Sequence, residues 1–224
     1  MNNKVINNNN NGLTQLRITE IFYSLQGESN TVGLPTVFVR LTGCPLRCGY
    51  CDTAYAFKGG QMMKLEDILN DVASYNARYV TVTGGEPLAQ PNCLPLLTAL
   101  CNAGYTVSLE TSGALDVSQV DQRVVKVLDL KTPGSLEVAK NDYNNLQHLQ
   151  AHDQIKFVIC DQNDYQWAKA KLDEYNLRDK HILFSPSHEQ LPSQQLAQWI
   201  LDDRLPVRMQ IQLHKYLWDN EPGR

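Results

Sequence analysis

An α/β fold, a partial and shortened TIM-like barrel of parallel strands with outer helices, is predicted from three observations. Stretches with strand character alternate with stretches of helical period across short connections, which argues for a parallel sheet with right-handed crossovers. About six such units occupy roughly 180 residues, where a complete eight-unit barrel takes about 250. The residues with chemical rather than packing character fall just after the strands, where parallel α/β folds place their chemistry.

The elements follow in order. Residues 36–41 (Thr-Val-Phe-Val-Arg-Leu) are rich in β-formers. Residues 64–75 carry Leu65, Ile68, Leu69, Val72 and Ala73, the face of an amphipathic helix. Residues 79–83 read as a strand running into Gly84-Gly85, and residues 94–102 as a helix that Gly104 would cap. Strands over 105–110 and 124–130 end at Thr111-Ser112-Gly113 and Lys131. Residues 141–150 carry a fainter helical period before a strand at 154–159. A helix over 164–175, with Asn163 as N-cap, leads to a strand at 181–184. A helix at 193–201 and a last strand at 207–213 complete the chain. No linker or repeat interrupts the pattern, so residues 13–224 are read as one domain. Residues 1–12, MNNKVINNNNNG, are too polar to bury a core and are read as a disordered tail.

Composition excludes some classes. The 224 residues are 42 % apolar, enough for an ordinary core, and the net charge of −4 disfavours broad nucleic-acid binding. No apolar run of about 18 residues is present, so no membrane partner is expected. The N-terminus lacks the apolar centre of an export signal. A cytoplasmic location follows, and there clustered cysteines bind metal or do chemistry more often than they pair.

Three of the six cysteines, Cys44, Cys48 and Cys51, are spaced C-x3-C-x2-C. A structural zinc site needs four ligands, usually from two knuckle pairs, and no second C-x-x-C exists. Three core thiols are a poor match for a loop built with Gly43, Pro45, Arg47 and Gly49. A 4Fe–4S cluster normally takes four thiolates. Three would leave one iron open to a small chelating molecule.

This triplet, with Tyr50 before its third cysteine, resembles the signature of the radical S-adenosylmethionine enzymes. The resemblance implies that the open iron binds the amino and carboxylate groups of S-adenosylmethionine, whose cleavage yields a hydrogen-abstracting radical. Thr83-Gly84-Gly85-Glu86-Pro87 is similar to that superfamily's GGEP motif. Further matches occur in the same order along nearly the whole chain: residues 21–29 (Ile-Phe-Tyr-Ser-Leu-Gln-Gly-Glu-Ser), 38–41, Cys51-Asp52-Thr53, 110–113 and 212–216 (Gln-Leu-His-Lys-Tyr). Together these resemble the 7-carboxy-7-deazaguanine synthases.

What that resemblance implies is specific. The substrate would be 6-carboxy-5,6,7,8-tetrahydropterin, contracted with loss of ammonia to 7-carboxy-7-deazaguanine for queuosine or related 7-deazapurines. Cys44, Cys48 and Cys51 would hold the cluster, and Thr53 would coordinate Mg2+, which prefers oxygen ligands. Tyr50, Cys51, Asp52, Gly85, Ser112, Asp129, Lys131 and Lys156 would contact S-adenosylmethionine, with Phe157 a weaker neighbour. Leu25, Gln26, Gly27, Arg40, Thr83 and Pro222 would contact substrate, Arg40 through its carboxylate. Glu110 would touch cofactor or substrate, and no side chain is assigned catalysis beyond the cofactor-derived radical. Asp129 departs from the family's serine in Ser-x-Lys, although a carboxylate can still accept from ribose hydroxyls. A homodimer and a flavodoxin- or ferredoxin-type electron donor are implied as well.

The remaining unusual residues have plain roles. Cys93, Cys101 and Cys160 are expected as buried thiols, His148 and His152 as a solvated helix face, Trp167 and Trp199 as core or interface, and Trp218 as a subunit contact. Two other functions compete. A radical-generating activase of a partner protein would carry further cluster-binding cysteine sets, and a zinc-stabilised RNA module would need a basic surface; neither feature is in the sequence.

Overall fold

The computed structural model describes residues 14–219, 221 and 223; the Asn-rich tail and Pro222 lie outside the described residues. Among the described residues nine strands form one sheet: β1 Gln15–Leu25, β2 Pro35–Leu41, β3 Gln61–Lys64, β4 Tyr79–Gly84, β5 Thr106–Thr111, β6 Val125–Asp129, β7 Gln154–Ile159, β8 His181–Pro186 and β9 Arg208–Met209. Their spatial order is β3-β1-β2-β4-β5-β6-β7-β8-β9. From β2 onward all neighbours are parallel, while β1 runs antiparallel to both β2 and β3. The sheet stays open at β3 and β9, which makes a partial barrel, as the sequence predicts.

The parallel strands bury both faces but not with the same chemistry: Val80, Val82, Val107 and Leu109 join the apolar core, while Thr83, Glu110, Asp129 and Lys156 face the cavity. In β4, Val80, Thr81, Val82 and Thr83 are all buried. Four helices cover the crossovers: α1 Leu65–Ser74, α2 Cys93–Asn102, α3 Gln162–Glu174 and α4 Ser193–Asp202; a fifth, α5 Leu213–Trp218, ends the chain. The face of α1 drives Leu65, Ile68 and Val72 into the core against the strands. Gly104, just past α2, has φ +91°, a conformation glycine adopts freely and a side chain does not. Trp167 and Trp199 pack on the core cluster.

Five expectations need correction. β1 and β3 are not visible as strands in the sequence; β1 mixes buried and half-exposed residues and shifts register between Ile18 and Glu20, which blurs its alternation. Residues 141–150 form no α-helix but 3-10 turns, including Tyr143–His148. There Asp142 accepts from Asn144 N–H, and the Asn145 side chain bonds Gly113 O, Leu115 O and Val117 N. Such side-chain bonding to backbone competes with helix. His148 and His152 therefore do not share a helix face. α3 is capped by Asp161, which accepts from Asp164 N–H, and not by Asn163. The last strand shrinks to two residues, and His214, Lys215 and Tyr216 lie on α5 instead of closing a strand. Cys93 is buried, whereas Cys101 and Cys160 are half-buried.

The open side of the barrel is crossed by the loop after β1. Asn30 N–H donates to Gln154 Oε1 at 2.8 Å and Ser29 N–H to Gln210 Oε1 at 2.9 Å, so residues near the start of the chain are tied to β7 and to the end of β9. This bridge lies at the N-terminal ends of the parallel strands, since Leu25 pairs with Pro35 at the start of β2 and Gln154 opens β7.

Candidate functional site

A cavity of about 580 Å³ opens at the C-terminal strand ends, within the range that holds a cofactor or drug-sized ligand. The loop after β2 carries Cys44, Cys48 and Cys51 into its lining. Gly43 starts the loop at φ +101° and its N–H donates to Ala56 O at 2.8 Å. Cys51 N–H closes a turn onto Cys48 O at 3.2 Å, and Gly49 N–H donates to Ser135 O at 3.0 Å. Arg47 bonds the carbonyls of Cys44 and Leu46 and stacks on Phe57. The loop is thus prefolded by its own backbone and by the segment after β6. Burial raises the Cys44 thiol above its usual value, and burial raises that of Cys48 to about 11.

The turn after β4 locks against this loop. Gly85 N–H donates to Leu41 O, and Glu86 N–H to Gly43 O. A Cβ at Gly85 would stand 2.7 Å from the Cys44 Cβ, so only glycine allows the approach. Glu86 does not face the cavity. It is fully buried and accepts from Thr111 Oγ1, Ser112 N–H, Ser112 Oγ and Leu88 N–H, which pins the ends of β4 and β5 together. Ser112 lines the cavity with its hydroxyl committed to Glu86.

On the side of β6 to β8 stand Tyr50, Asp129, Lys131 and Lys156, all in the lining. Lys131 Nζ lies 3.0 Å from Asp129 Oδ2 and over the Tyr50 ring. Burial opposes the Lys131 charge, but Asp129 outweighs it and raises the pKa above the usual lysine value. Burial likewise opposes the charge on Lys156, where the Glu28 carboxylate at 2.7 Å prevails and raises it. Three buried lining atoms, Tyr50 OH, Asp129 Oδ1 and Ser185 Oγ, have no partner among the described residues. Unmet polar atoms beside a cavity call for a polar ligand, since each is costly to leave buried.

The opposite wall carries Leu25, Gln26, Gly27, Glu28, Arg40, Thr83 and Glu110. Gln26 is buried and its amide is spent inside the protein, donating to Thr81 Oγ1 at 3.0 Å and accepting from Glu28 N–H. Arg40 Nε is held 2.6 Å from Glu20 Oε1, with Phe22 and Tyr55 flanking the guanidinium; its terminal amino groups make no hydrogen bond among the described residues. Thr83 Oγ1 donates to Glu110 Oε2 at 3.0 Å. Burial, then the Glu28 charge, raises the Glu110 pKa above the ordinary carboxylate range.

Asp52 and Thr53 follow the cysteines into the same lining. Burial works to raise the Asp52 pKa, but Lys215 at 3.0 Å and the Gln212 amide hold it below its usual value. Thr53 makes no capping bond to the turn Ala54–Phe57; its hydroxyl lies 3.9 Å from Cys51 Sγ. Phe157 does not belong: it is fully buried in the core. Residues that the sequence reading missed also line the cavity, above all Glu28, Ser185, Ser187 and His188. Glu28 follows the Gln26-Gly27 pair directly, and residues 185–188 follow a foreseen strand, so the strand-end rule could have flagged them.

Comparisons with known proteins agree with this geometry. Residues 38–148 match the family model of the Radical SAM superfamily. A 7-carboxy-7-deazaguanine synthase of Chlorobaculum tepidum is 45 % identical over 208 residues, covering 91 % of this chain and 94 % of its own. That of Koribacter versatilis is 42 % identical, covering 92 % of this chain and 98 % of its own. Among solved structures, QueE from Escherichia coli superposes with a TM-score of 0.74 at 24 % identity, over 89 % of this chain and 95 % of that one. It supports the fold.

Proposed function

The chain belongs to the 7-carboxy-7-deazaguanine synthase family of the radical SAM superfamily, and on that premise we propose how its cavity performs the family's reaction. The enzyme is a radical SAM lyase of queuosine biosynthesis that uses a 4Fe–4S cluster and S-adenosylmethionine. Its substrate is 6-carboxy-5,6,7,8-tetrahydropterin, its product 7-carboxy-7-deazaguanine, and ammonia leaves. One domain over residues 13–224, a homodimer, a flavodoxin- or ferredoxin-type electron donor and a cytoplasmic setting complete the reading. No helix among the described residues is long and apolar enough to cross a membrane.

The residues fit the groups this chemistry requires. Cys44, Cys48 and Cys51 are soft donors on one prefolded loop. The cluster and S-adenosylmethionine, when bound, supply the radical that takes hydrogen from C6 of the pterin. Tyr50, the backbone of Cys51 and Asp52, Gly85, Ser112, Asp129, Lys131 and Lys156 bind the cofactor. Asp129 Oδ1, without a partner among the described residues, would accept from its ribose, and Lys131 holds Asp129 in place. Thr53, which makes no capping bond among the described residues, would offer an oxygen to Mg2+.

Arg40 faces the cavity, and its terminal N–H groups, without a hydrogen bond among the described residues, suit the carboxylate of the pterin. Leu25, Gln26, Gly27 and Thr83 shape the wall behind it. Glu110, held by Thr83, is a hydrogen-bond partner for the pterin ring. Pro222, a further substrate contact in this reading, lies outside the described residues.

A single observation carries the reading: three thiols, and three polar atoms without a partner among the described residues, line the same cavity as Arg40. Anaerobic incubation with reconstituted cluster, dithionite, S-adenosylmethionine, Mg2+ and the pterin tests it by mass spectrometry. The expected result is 7-carboxy-7-deazaguanine with the native chain and none with Cys48→Ala. Accumulation of 5′-deoxyadenosine alone would refute the substrate. Zinc in place of iron would refute the cluster.

A further inference from the structure

Residues 212–215 join two loops that lie far apart in the sequence. Lys215 Nζ stands 3.0 Å from Asp52 Oδ2, and Gln212 Nε2 donates to that same oxygen at 3.0 Å. Asp52 directly follows the third cysteine. On the other side, Leu213 N–H donates to Gly27 O at 3.1 Å. Gly27 is so close to the next residue of α5 that a Cβ there would stand 2.6 Å from His214 Nδ1. One short segment therefore touches the cysteine loop and the loop after β1 at once, over a cavity that both loops line.

Apolar packing does not hold this segment down. α5 has no fully buried residue, and Tyr216 and Leu217 are 79 % and 44 % exposed. The Lys215 side chain, by contrast, is only 10 % exposed, so its charge is withdrawn from water and directed at Asp52. A helix of six residues has little stability of its own. Its placement depends on these few polar contacts.

We propose that Lys215 is a positioning residue of the reaction: it latches the C-terminal segment onto Asp52, so that the pterin end of the cavity is closed only when the cysteine loop is in register. This rests on the functional reading above. With the latch intact, the segment braces Gly27 on the pterin wall and Asp52 beside the cofactor as one unit. With the latch lost, the segment lifts, the pterin wall loosens and water enters. The affinity for pterin falls, and more S-adenosylmethionine is cleaved without product.

Limited chymotrypsin digestion of the metal-free full chain reads the latch directly, because Tyr216 to Trp218 offer cleavage sites. Lys215→Met is expected to speed cleavage there, and Lys215→Arg to restore the native rate. Asp52→Asn combined with Lys215→Met should cleave no faster than Lys215→Met alone, since both break one contact. In the loaded enzyme, Lys215→Met should raise KM for the pterin about tenfold, the scale of one charged hydrogen bond, with kcat changing less. Equal cleavage of the native chain and Lys215→Met, or additive effects in the double variant, would overturn the proposal. If the native chain does not turn over the pterin, the functional reading fails, and digestion still decides the latch.

Discussion

Gly85 shows how little room the site leaves at the scale of single residues. A methyl group there would press on Cys44 Cβ and on the backbone of Gly43, so Gly85→Ala must displace the loop that holds the three thiols. Overpacking of this kind costs about 1–3 kcal/mol. The expected result is a folded chain that retains less iron after reconstitution than the native protein, measured by metal analysis. Thr53→Ala should raise the Mg2+ concentration for half-maximal turnover while leaving iron content unchanged; an unaltered Mg2+ titration would remove Thr53 from the metal's ligands. Glu110 sets function against stability. Burial, with Glu28 beside it, raises its folded pKa above the unfolded value. Such a carboxyl contributes stability when protonated, and that contribution is lost as the pH rises through the folded pKa. Glu110→Gln should therefore raise the melting temperature at about pH 8, with the gain shrinking as the pH falls toward about 4.3. A gain independent of pH would contradict this account. The cysteine triplet was legible in the sequence from its spacing, and Gly85 and Arg40 only through the family resemblance; all five line the cavity. The Glu28–Lys156 pair was not legible, because its members are 128 residues apart and only the fold brings them to 2.7 Å.

At the scale of elements, the parallel strands were the legible part, since short β-rich runs recur between segments of helical period. Strand β1 escaped because a register shift and mixed burial hide its period of two. The turns over Tyr143–His148 escaped because Asn145 trades helix for three side-chain bonds to distant backbone. Strands β6 and β7 are also joined by a pair that no local pattern announces. Lys126 Nζ lies 2.8 Å from Asp153 Oδ2, both side chains almost wholly buried, and Asp153 also accepts from Lys126 N–H and Gln150 N–H. Removing one partner leaves a buried charge uncompensated, typically at about 3–5 kcal/mol. Lys126→Met should lower stability on that scale in urea unfolding. A loss below about 1 kcal/mol would mean that the backbone donors alone satisfy Asp153.

At the scale of the whole molecule, an open sheet becomes a lined cavity because separate parts of the chain complete it. The loop after β1 closes the gap toward β7 and β9, the cysteine loop and the segment after β6 form one side, and α5 spans the top. None of these closures follows from strand periodicity; each depends on side chains meeting across the fold. The central claim is that cofactor and pterin share this one cavity, so that hydrogen passes directly between them and returns. Deuterium placed at C6 of the pterin tests this most directly. Mass spectrometry of the recovered S-adenosylmethionine after anaerobic turnover should show deuterium, acquired together with formation of 7-carboxy-7-deazaguanine. Product formed while S-adenosylmethionine stays free of the label would contradict the account.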